Sequence, residues 1–219
     1  MAAITFSREI GSDGDVLALR AAEALGYCLV GKDQIAEILR QYGLVEFDSA
    51  HERLPGFWER FNAQREQYRH QIVRMLNQIV PAVARHGRTV IVGRGGFAIL
   101  QGYADVLHVR VQAPVALRAQ RLAALEGLTV PEAEARLLEE DKGRAAFLES
   151  YYRVRWTDAT LFDLVVNTGK VTTEAAVSWI VEAARRLEAG PPPGPTTADL
   201  QVDPILARTV AEVLARPRA

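Results

Sequence analysis

Arginines that follow glycine-rich turns are the residues of this chain with the clearest chemical meaning. One apolar run ends at the glycine-rich residues 93–96, which include Arg94, and a second run, residues 106–111, is followed by Arg118 and Arg121. Ligands of α/β proteins bind at the carboxyl ends of parallel strands. The planar, permanently charged guanidinium group of arginine matches the geometry of a phosphate group. These residues therefore predict a site for a phosphorylated ligand.

The first turn of the chain offers a second place for phosphate. The strand-like residues 3–6 lead into residues 7–15, SREIGSDGD, and a helical pattern follows. A strand, a turn of small residues and a helix can form a phosphate loop, in which backbone N–H groups and the helix N-terminus surround an anion. The standard GxxxxGK[ST] motif is absent, and a tight structural turn would have a similar composition, so both interpretations stay open at this point.

Strands and helices alternate along most of the chain. Short apolar runs predict five strands, at residues 3–6, 28–30, 90–92, 106–111 and 164–166. Helical patterns lie between them, and one of these begins at Thr129-Val130-Pro131-Glu132, a capping box with proline in the first turn. This alternation predicts an α/β fold with a parallel sheet that is covered by helices on both faces.

Composition limits the class of protein and its partners. The 219 residues are 49% hydrophobic, which suits one domain with a substantial core, and the net charge is −1. A nearly neutral chain without a basic run argues against nucleic acid and anionic membranes as partners. The single cysteine, Cys28, excludes an internal disulfide and a thiolate metal cluster. No apolar stretch reaches about 18 residues and no signal peptide is evident, so the expected location is cytoplasmic.

The chain is expected to divide into a folded domain (residues 1–189), a linker rich in proline and glycine (190–199) and an amphipathic C-terminal helix within residues 200–219. Consecutive prolines cannot continue a helix and make a linker stiff. The helix would pack on its own domain or on a second subunit, which would make the protein a homodimer. A peptide that recruits a partner protein is the alternative.

Three ordered segments resemble the cytidylate kinase-like family, relatives of the P-loop nucleoside monophosphate kinases. They are ITFSREIGSDGDVLALRAAEALGY, VGRGGFAILQGYADVLHVRVQAPVALRAQRL and EEDKGRAAFLESYYRVRWTDATLFDLVVNT, and the resemblance covers about residues 3–187. It implies a P-loop kinase-like three-layer sandwich, with a five-stranded parallel sheet, helices on both faces and a helical lid. It also implies ATP and Mg²⁺ as cofactors and a small nucleotide, a nucleoside monophosphate such as CMP or dCMP, as the acceptor of the γ-phosphoryl group.

The resemblance implies a role for each matching position. The ATP phosphates would meet the loop residues Arg8, Gly11, Ser12, Asp13, Gly14 and Asp15. The catalytic residues would be Arg94 at the acceptor, Arg118, and Lys142 and Arg144 in the lid. Arg118 and Arg121 lie one helical turn apart and share a face, so one of the two could reach the active site. Residues 57–68, which mix aromatic and charged side chains, would belong to the acceptor-binding region.

The loop also departs from the family pattern. Gly14 stands where a phosphate loop has its lysine, and Asp15 stands where it has the serine or threonine that binds Mg²⁺. Two carboxylates beside polyphosphate repel it unless a cation lies between them, so Asp13 and Asp15 are predicted to hold Mg²⁺, while Arg8 supplies positive charge. Gly95 replaces the aspartate of true cytidylate kinases. The alternative function is therefore a catalytically impaired pseudokinase that binds nucleotides as a sensor or scaffold.

Overall fold

The computed structural model describes residues 3–42 and 63–216, with side chains from residue 70 onward in the second range. Its centre is a sheet of five parallel strands in the order β2-β3-β1-β4-β5. The strands are β1 (Ala3–Arg8), β2 (Cys28–Val30), β3 (Thr89–Val92), β4 (Val106–Gln112) and β5 (Leu164–Asn167). The predicted five-stranded parallel sheet is confirmed. Residues 57–62 of the predicted acceptor-binding region lie outside the described residues.

Helices connect the strands and cover both faces of the sheet. They are α1 (Gly14–Leu25), α2 (Lys32–Gln41), α3 (Ala63–His86), α4 (Gly96–Ile99), α5 (Val115–Glu126), α6 (Val130–Tyr152), α7 (Thr173–Ala189) and α8 (Pro204–Leu214). The predicted capping box begins α6: the Glu132 carboxylate accepts from the N–H of Thr129, and the Thr129 hydroxyl oxygen accepts from the N–H of Glu132. Among the described helices, none is long and apolar enough to cross a membrane.

Two apolar layers hold the sheet between its helices. On one face α1 and α7 pack against the strands through buried side chains such as Leu17 and Ile180. On the other face α2, α3 and α8 do so through side chains such as Ile38 and Ile79. The central strand β1 is buried along most of its length, as a strand covered by helices on both faces should be. The result is the three-layer sandwich that the resemblance implied.

The C-terminal segment packs on the domain that precedes it. Thr197, in a short 3₁₀ turn, is buried, and its N–H and hydroxyl both donate to the Asp105 carboxylate at 2.7 Å. Helix α8 then buries Leu206, Val210 and Val213 in the same apolar layer as α2 and α3. The amphipathic face that the sequence revealed is therefore covered by this chain itself.

The parallel arrangement decides where a site can form. All five strands run in the same direction, so the turns that follow β1, β3, β4 and β5 meet at one edge of the sheet. The two glycine-rich turns of the sequence follow β1 and β3, which are neighbours. The fold thus brings both predicted phosphate-binding segments together.

Candidate active site

The loop between β1 and α1 has the backbone of an anion-binding turn. Gly11 has φ +73° and Asp13 has φ +60°, both in the left-handed region. Only glycine fits at position 11, because a Cβ there would lie 2.6 Å from the carbonyl oxygen of Arg118. Asp13 is the N-cap of α1, yet its side chain makes no capping hydrogen bond. It therefore leaves the first N–H groups of α1 to another partner, as a helix N-terminus that receives phosphate requires.

Glu9 and Ser12 fasten this loop. The Glu9 carboxylate, directly after β1, accepts hydrogen bonds from the Arg110 guanidinium group at 3.1 Å and from the backbone N–H of Ala113 at 3.2 Å. Arg110 lies in the neighbouring strand β4, and Ala113 directly follows that strand. The buried Ser12 hydroxyl donates to the carbonyl oxygen of Glu9 at 2.6 Å. The sequence predicted that Ser12 contacts the nucleotide phosphates, but its hydroxyl is engaged within the loop.

Arg118 lies beneath the loop and not in front of it. Only 3% of the residue is exposed, and its guanidinium group forms ion pairs with Asp141 at 2.7 Å and with Glu9 at 3.4 Å. It also donates to the carbonyl oxygen of Ile10 at 3.3 Å. A buried guanidinium group needs such partners, because they compensate for the loss of water. The structure thus commits Arg118, which the sequence predicted to be catalytic, to supporting the loop.

Arg121, the second arginine of the predicted helix face, contacts the phosphate loop. Its guanidinium group pairs with Asp13 at 3.0 Å and donates to the carbonyl oxygen of Gly11 at 3.3 Å. It also donates to the hydroxyl of Thr168 at 3.1 Å, which in turn donates to the carbonyl oxygen of Ser12 at 2.9 Å. The three-residue spacing from Arg118 signals a shared helix face but does not say which arginine faces a ligand.

A cavity opens where the phosphate loop meets the turn after β3. Three arginines from three different segments line it, namely Arg8, Arg94 and Arg144. The other side chains that line it are mainly apolar and come from α3, α4 and α6: Ile72, Leu76, Phe97, Phe147 and Leu148. Cations on one side and apolar walls on the other suit a ligand with an anionic group and a flat or apolar body.

Arg94 belongs to a strained turn at the mouth of this cavity. Gly93, Arg94 and Gly95 have φ values of +73°, +56° and +67°, so three consecutive residues adopt the left-handed conformation. This conformation is disfavoured for a residue with a side chain, and such strain is common at ligand sites. The turn therefore holds the Arg94 side chain at the cavity, where the sequence predicted it to act.

Arg8 occupies the space above Gly14. A Cβ on Gly14 would lie 2.4 Å from Cβ of Arg8, and a Cβ on Gly93 would lie 2.9 Å from Nη1 of Arg8. The Arg8 side chain thus runs from the phosphate loop to the turn after β3. Its Nε forms an ion pair with the exposed carboxylate of Asp15 at 3.0 Å. A positive charge is therefore present beside the loop although position 14 has no side chain.

Of the two predicted catalytic residues on the lid helix α6, Arg144 lines the cavity and Lys142 does not. Nη1 of Arg144 donates to the carbonyl oxygen of Arg8 at 2.8 Å, and its guanidinium carbon lies 5.6 Å from the centre of the Trp156 ring. The buried Arg110 lies over the same ring at 4.7 Å. Lys142, which the sequence predicted to be catalytic, is exposed on α6 and does not line the cavity.

The carboxylates predicted to hold Mg²⁺ are each paired with an arginine. Asp13 pairs with Arg121 and Asp15 with Arg8. Within residues 3–42 and 63–216, no group of three or more metal-ligating side chains comes together. A Mg²⁺ ion commonly takes one or two carboxylates and completes its shell with substrate phosphates and water. The exposed Asp15 carboxylate fits that donor set, whereas Asp13 is the more enclosed of the two.

The sheet and its glycine-rich loop at the N-terminus of α1 define this chain as a P-loop kinase-like α/β protein. A model of the "Cytidylate kinase-like family" matches residues 3–170. The chain belongs to the cytidylate kinase-like family. A structure titled as that of an uncharacterized protein from Eubacterium ventriosum shares the fold, with a TM-score of 0.66, 20% identity, and coverage of 84% of this chain and 99% of that one.

Two similar curated proteins are named as cytidylate kinases. The protein from Halobacterium salinarum is 28% identical over 198 residues, which cover 88% of this chain and 94% of that protein. The protein from Methanopyrus kandleri is 31% identical over 109 residues, covering 46% of this chain and 56% of that protein. The likeness to the first relative thus extends over nearly all of both chains.

Proposed function

We propose that this protein transfers the γ-phosphoryl group of ATP to a nucleoside monophosphate such as CMP or dCMP, with Mg²⁺ as cofactor. The observation that carries the proposal is the meeting of Arg8, Arg94 and Arg144 at one cavity beside the phosphate loop. Phosphoryl transfer needs positioning and charge neutralisation more than covalent chemistry. A cavity with three converging guanidinium groups and apolar walls supplies both.

Each part of the site has a place in this reaction. The first N–H groups of α1 and the Arg8 guanidinium group would bind the ATP phosphates, with Arg8 in place of the missing loop lysine. Arg94 would bind the phosphate of the acceptor, and Arg144 would neutralise the charge between donor and acceptor. The apolar side chains of α3 and α6 would exclude water, which otherwise competes as the acceptor.

Mg²⁺ would be held by Asp15 and by phosphate oxygens. The Asp15 side chain is 72% exposed at the start of α1, so its carboxylate is accessible to an ion bound to phosphate. The ion supplies positive charge that neutralises the phosphates when it is bound. Its arrival would exchange the Arg8–Asp15 pair for a contact of Asp15 with the ion and a contact of Arg8 with the phosphates.

A pseudokinase is the second candidate, and one observation favours it. Two of the arginines beside the loop, Arg8 and Arg121, are already paired with the loop carboxylates Asp15 and Asp13. A nucleotide would have to displace these internal anions. A protein that binds one nucleotide and transfers nothing would satisfy the same geometry.

Replacing Arg94 tests the proposal. The parent protein, with ATP, Mg²⁺ and CMP or dCMP, should form ADP and the nucleoside diphosphate in equal amounts. Arg94→Ala should lower this rate by about 100-fold, since one lost charge-stabilising donor commonly costs that much. Its melting temperature should stay nearly unchanged, because the Arg94 side chain lines a cavity and lies outside the core.

Arg186→Ala is the matched control, because Arg186 is exposed on α7, away from the cavity, and pairs with Glu182 of its own helix. It should keep full activity. Nucleotide binding without transfer by the parent protein would favour the pseudokinase. A loss of folding in Arg94→Ala, seen as a collapsed melting transition, would make Arg94 structural.

A further inference from the structure

The ring of Tyr152 fills the space that a side chain at position 95 would need. Gly95 lines the cavity, and a Cβ on it would lie 2.7 Å from Cε2 and 3.0 Å from Cζ of Tyr152. Any side chain at position 95 would therefore collide with the ring of Tyr152. The last residue of the lid helix thus fills the volume beside Arg94 that a side chain of the turn would otherwise fill.

The hydroxyl group of Tyr152 is buried and has no hydrogen-bond partner among the described residues. It lies 3.3 Å from the Cβ position of Gly95. Tyr152 does not itself line the cavity, but Gly95 does, so the hydroxyl lies directly behind a lining residue that has no side chain to screen it. A buried hydroxyl without a partner costs free energy, and such a group calls for a specific explanation.

Burial raises the pKa of Tyr152 well above its ordinary value, so the group keeps its proton at every physiological pH. The neutral phenol can therefore donate a hydrogen bond. Its surroundings are otherwise apolar, with Phe97, Leu148 and Trp156 in the same cluster. A ligand atom that accepts this hydrogen bond would be the partner that the protein itself does not provide.

We infer that Tyr152 is a specificity-determining residue, whose hydroxyl group donates a hydrogen bond to the base of the nucleoside monophosphate in the cavity. The inference rests on the proposed function, because it needs an acceptor whose phosphate lies at Arg94. The base then extends along the turn towards Gly95 and lies against Phe97 and Phe147. The atom that Tyr152 contacts is a carbonyl oxygen or an unprotonated ring nitrogen of the base.

Tyr152→Phe tests this inference with two readouts, because the stability of the free protein should increase while its affinity for CMP should decrease. The variant keeps the ring that covers Gly95 and removes only the unpartnered hydroxyl. Without ligand, its melting temperature should rise above that of the parent protein, since a buried polar group without a partner is lost. Its dissociation constant for CMP, measured by calorimetry, should increase about tenfold, which is the scale of one lost hydrogen bond. Its affinity for ATP should not change.

Two controls are needed. One tests whether the effect of the variant depends on the base of the ligand, and the other tests whether it is specific to Tyr152. Ribose 5-phosphate has no base, so its affinity should be the same for the parent protein and Tyr152→Phe. Tyr27 carries a second buried hydroxyl, directly before β2 at the opposite edge of the sheet. Tyr27→Phe should therefore leave the affinity for CMP unchanged.

Equal CMP affinity of Tyr152→Phe and the parent protein would overturn the inference and leave the proposed function intact. An equal loss of ribose 5-phosphate affinity would also overturn it, because the hydroxyl would then contact the sugar or phosphate. If the parent protein binds no nucleoside monophosphate at all, both the inference and the proposed function fail.

Discussion

At the scale of single residues, Arg8 shows how the site compensates for a missing side chain. A lysine at position 14 would not fit, because a Cβ there lies 2.4 Å from Cβ of Arg8. The guanidinium group of Arg8 instead reaches across the loop to the turn after β3. The charge beside the loop therefore comes from the end of β1 and not from the start of α1. Substituting only position 14 would not restore a standard phosphate loop.

The two loop carboxylates should respond differently to the loss of their charge. Asp15→Asn should reduce the improvement in ATP affinity that Mg²⁺ brings by about tenfold, or ~1.4 kcal/mol, because the exposed carboxylate would no longer meet the ion. Asp13→Asn should leave that improvement unchanged, because Asp13 pairs with Arg121. Asparagine also tolerates the positive φ of position 13. Calorimetry with ATP, with and without Mg²⁺, measures both; equal losses in the two variants would contradict this assignment.

At the scale of elements, one aromatic ring contacts both the lid helix α6 and the strand β4 beside the phosphate loop. Trp156 is 5% exposed, and both Arg110 and Arg144 lie over its ring. Arg110 also forms the ion pair with Glu9 that fastens the loop. Contacts between a cation and an aromatic ring contribute about 0.5–2 kcal/mol each, more when they are away from water. Trp156 is thus a positioning residue that fixes where the lid places Arg144.

Replacing Trp156 should change activity according to whether a ring remains. Trp156→Leu should lower kcat/KM by about tenfold, because Arg144 loses the ring that orients it, whereas Trp156→Phe should retain most of the activity. Steady-state assays at a temperature well below the melting temperatures of the parent protein and both variants separate this effect from unfolding. In an Arg144→Ala background, Trp156→Leu should have little further effect. Additive losses in that background would show that Trp156 acts through something other than Arg144.

At the scale of the whole molecule, the sheet holds a titratable group in its centre. His108 is buried in β4, and its Nδ1 lies 2.7 Å from the hydroxyl oxygen of Thr5 on β1. Burial lowers the pKa of His108, although the Asp163 carboxylate opposes this shift. The unfolded chain has an ordinary histidine, with a pKa of about 6.5. Below that pH the unfolded state therefore binds more protons than the folded state, which favours unfolding.

The free energy of unfolding should accordingly fall as the pH drops below about 6.5, and His108 should account for part of the slope. His108→Asn removes the titrating group and retains a polar atom near Thr5. It should lower stability at pH 7 but make the dependence on pH between 7 and 5 shallower. Urea unfolding at several pH values measures both quantities. Parallel curves for the variant and the parent protein would show that His108 does not titrate in this range.

Much of the fold could be predicted because its signals are local. The five strands are short apolar runs, and the start of α6 is encoded by Thr129 and Glu132 three residues apart. The strand order could not be read in this way, since β1 meets β3 and β4 across long stretches of chain. The sequence showed that α8 has an apolar face, but only the structure showed that this face packs against α2 and α3 of the same chain.

The sequence by itself determined the chemical groups that the site can offer, because glycine-rich turns and arginines suit a phosphate group wherever they fold. Only the tertiary structure decided which of the cations lie at the cavity. Arg118 and Arg121 share a helix face, yet one is buried beneath the loop and the other pairs with Asp13. The side chain of Arg8 fills the space at Gly14, and the ring of Tyr152, far away in the chain, fills the space at Gly95. These contacts join different segments of the chain, and they form only when the chain has folded.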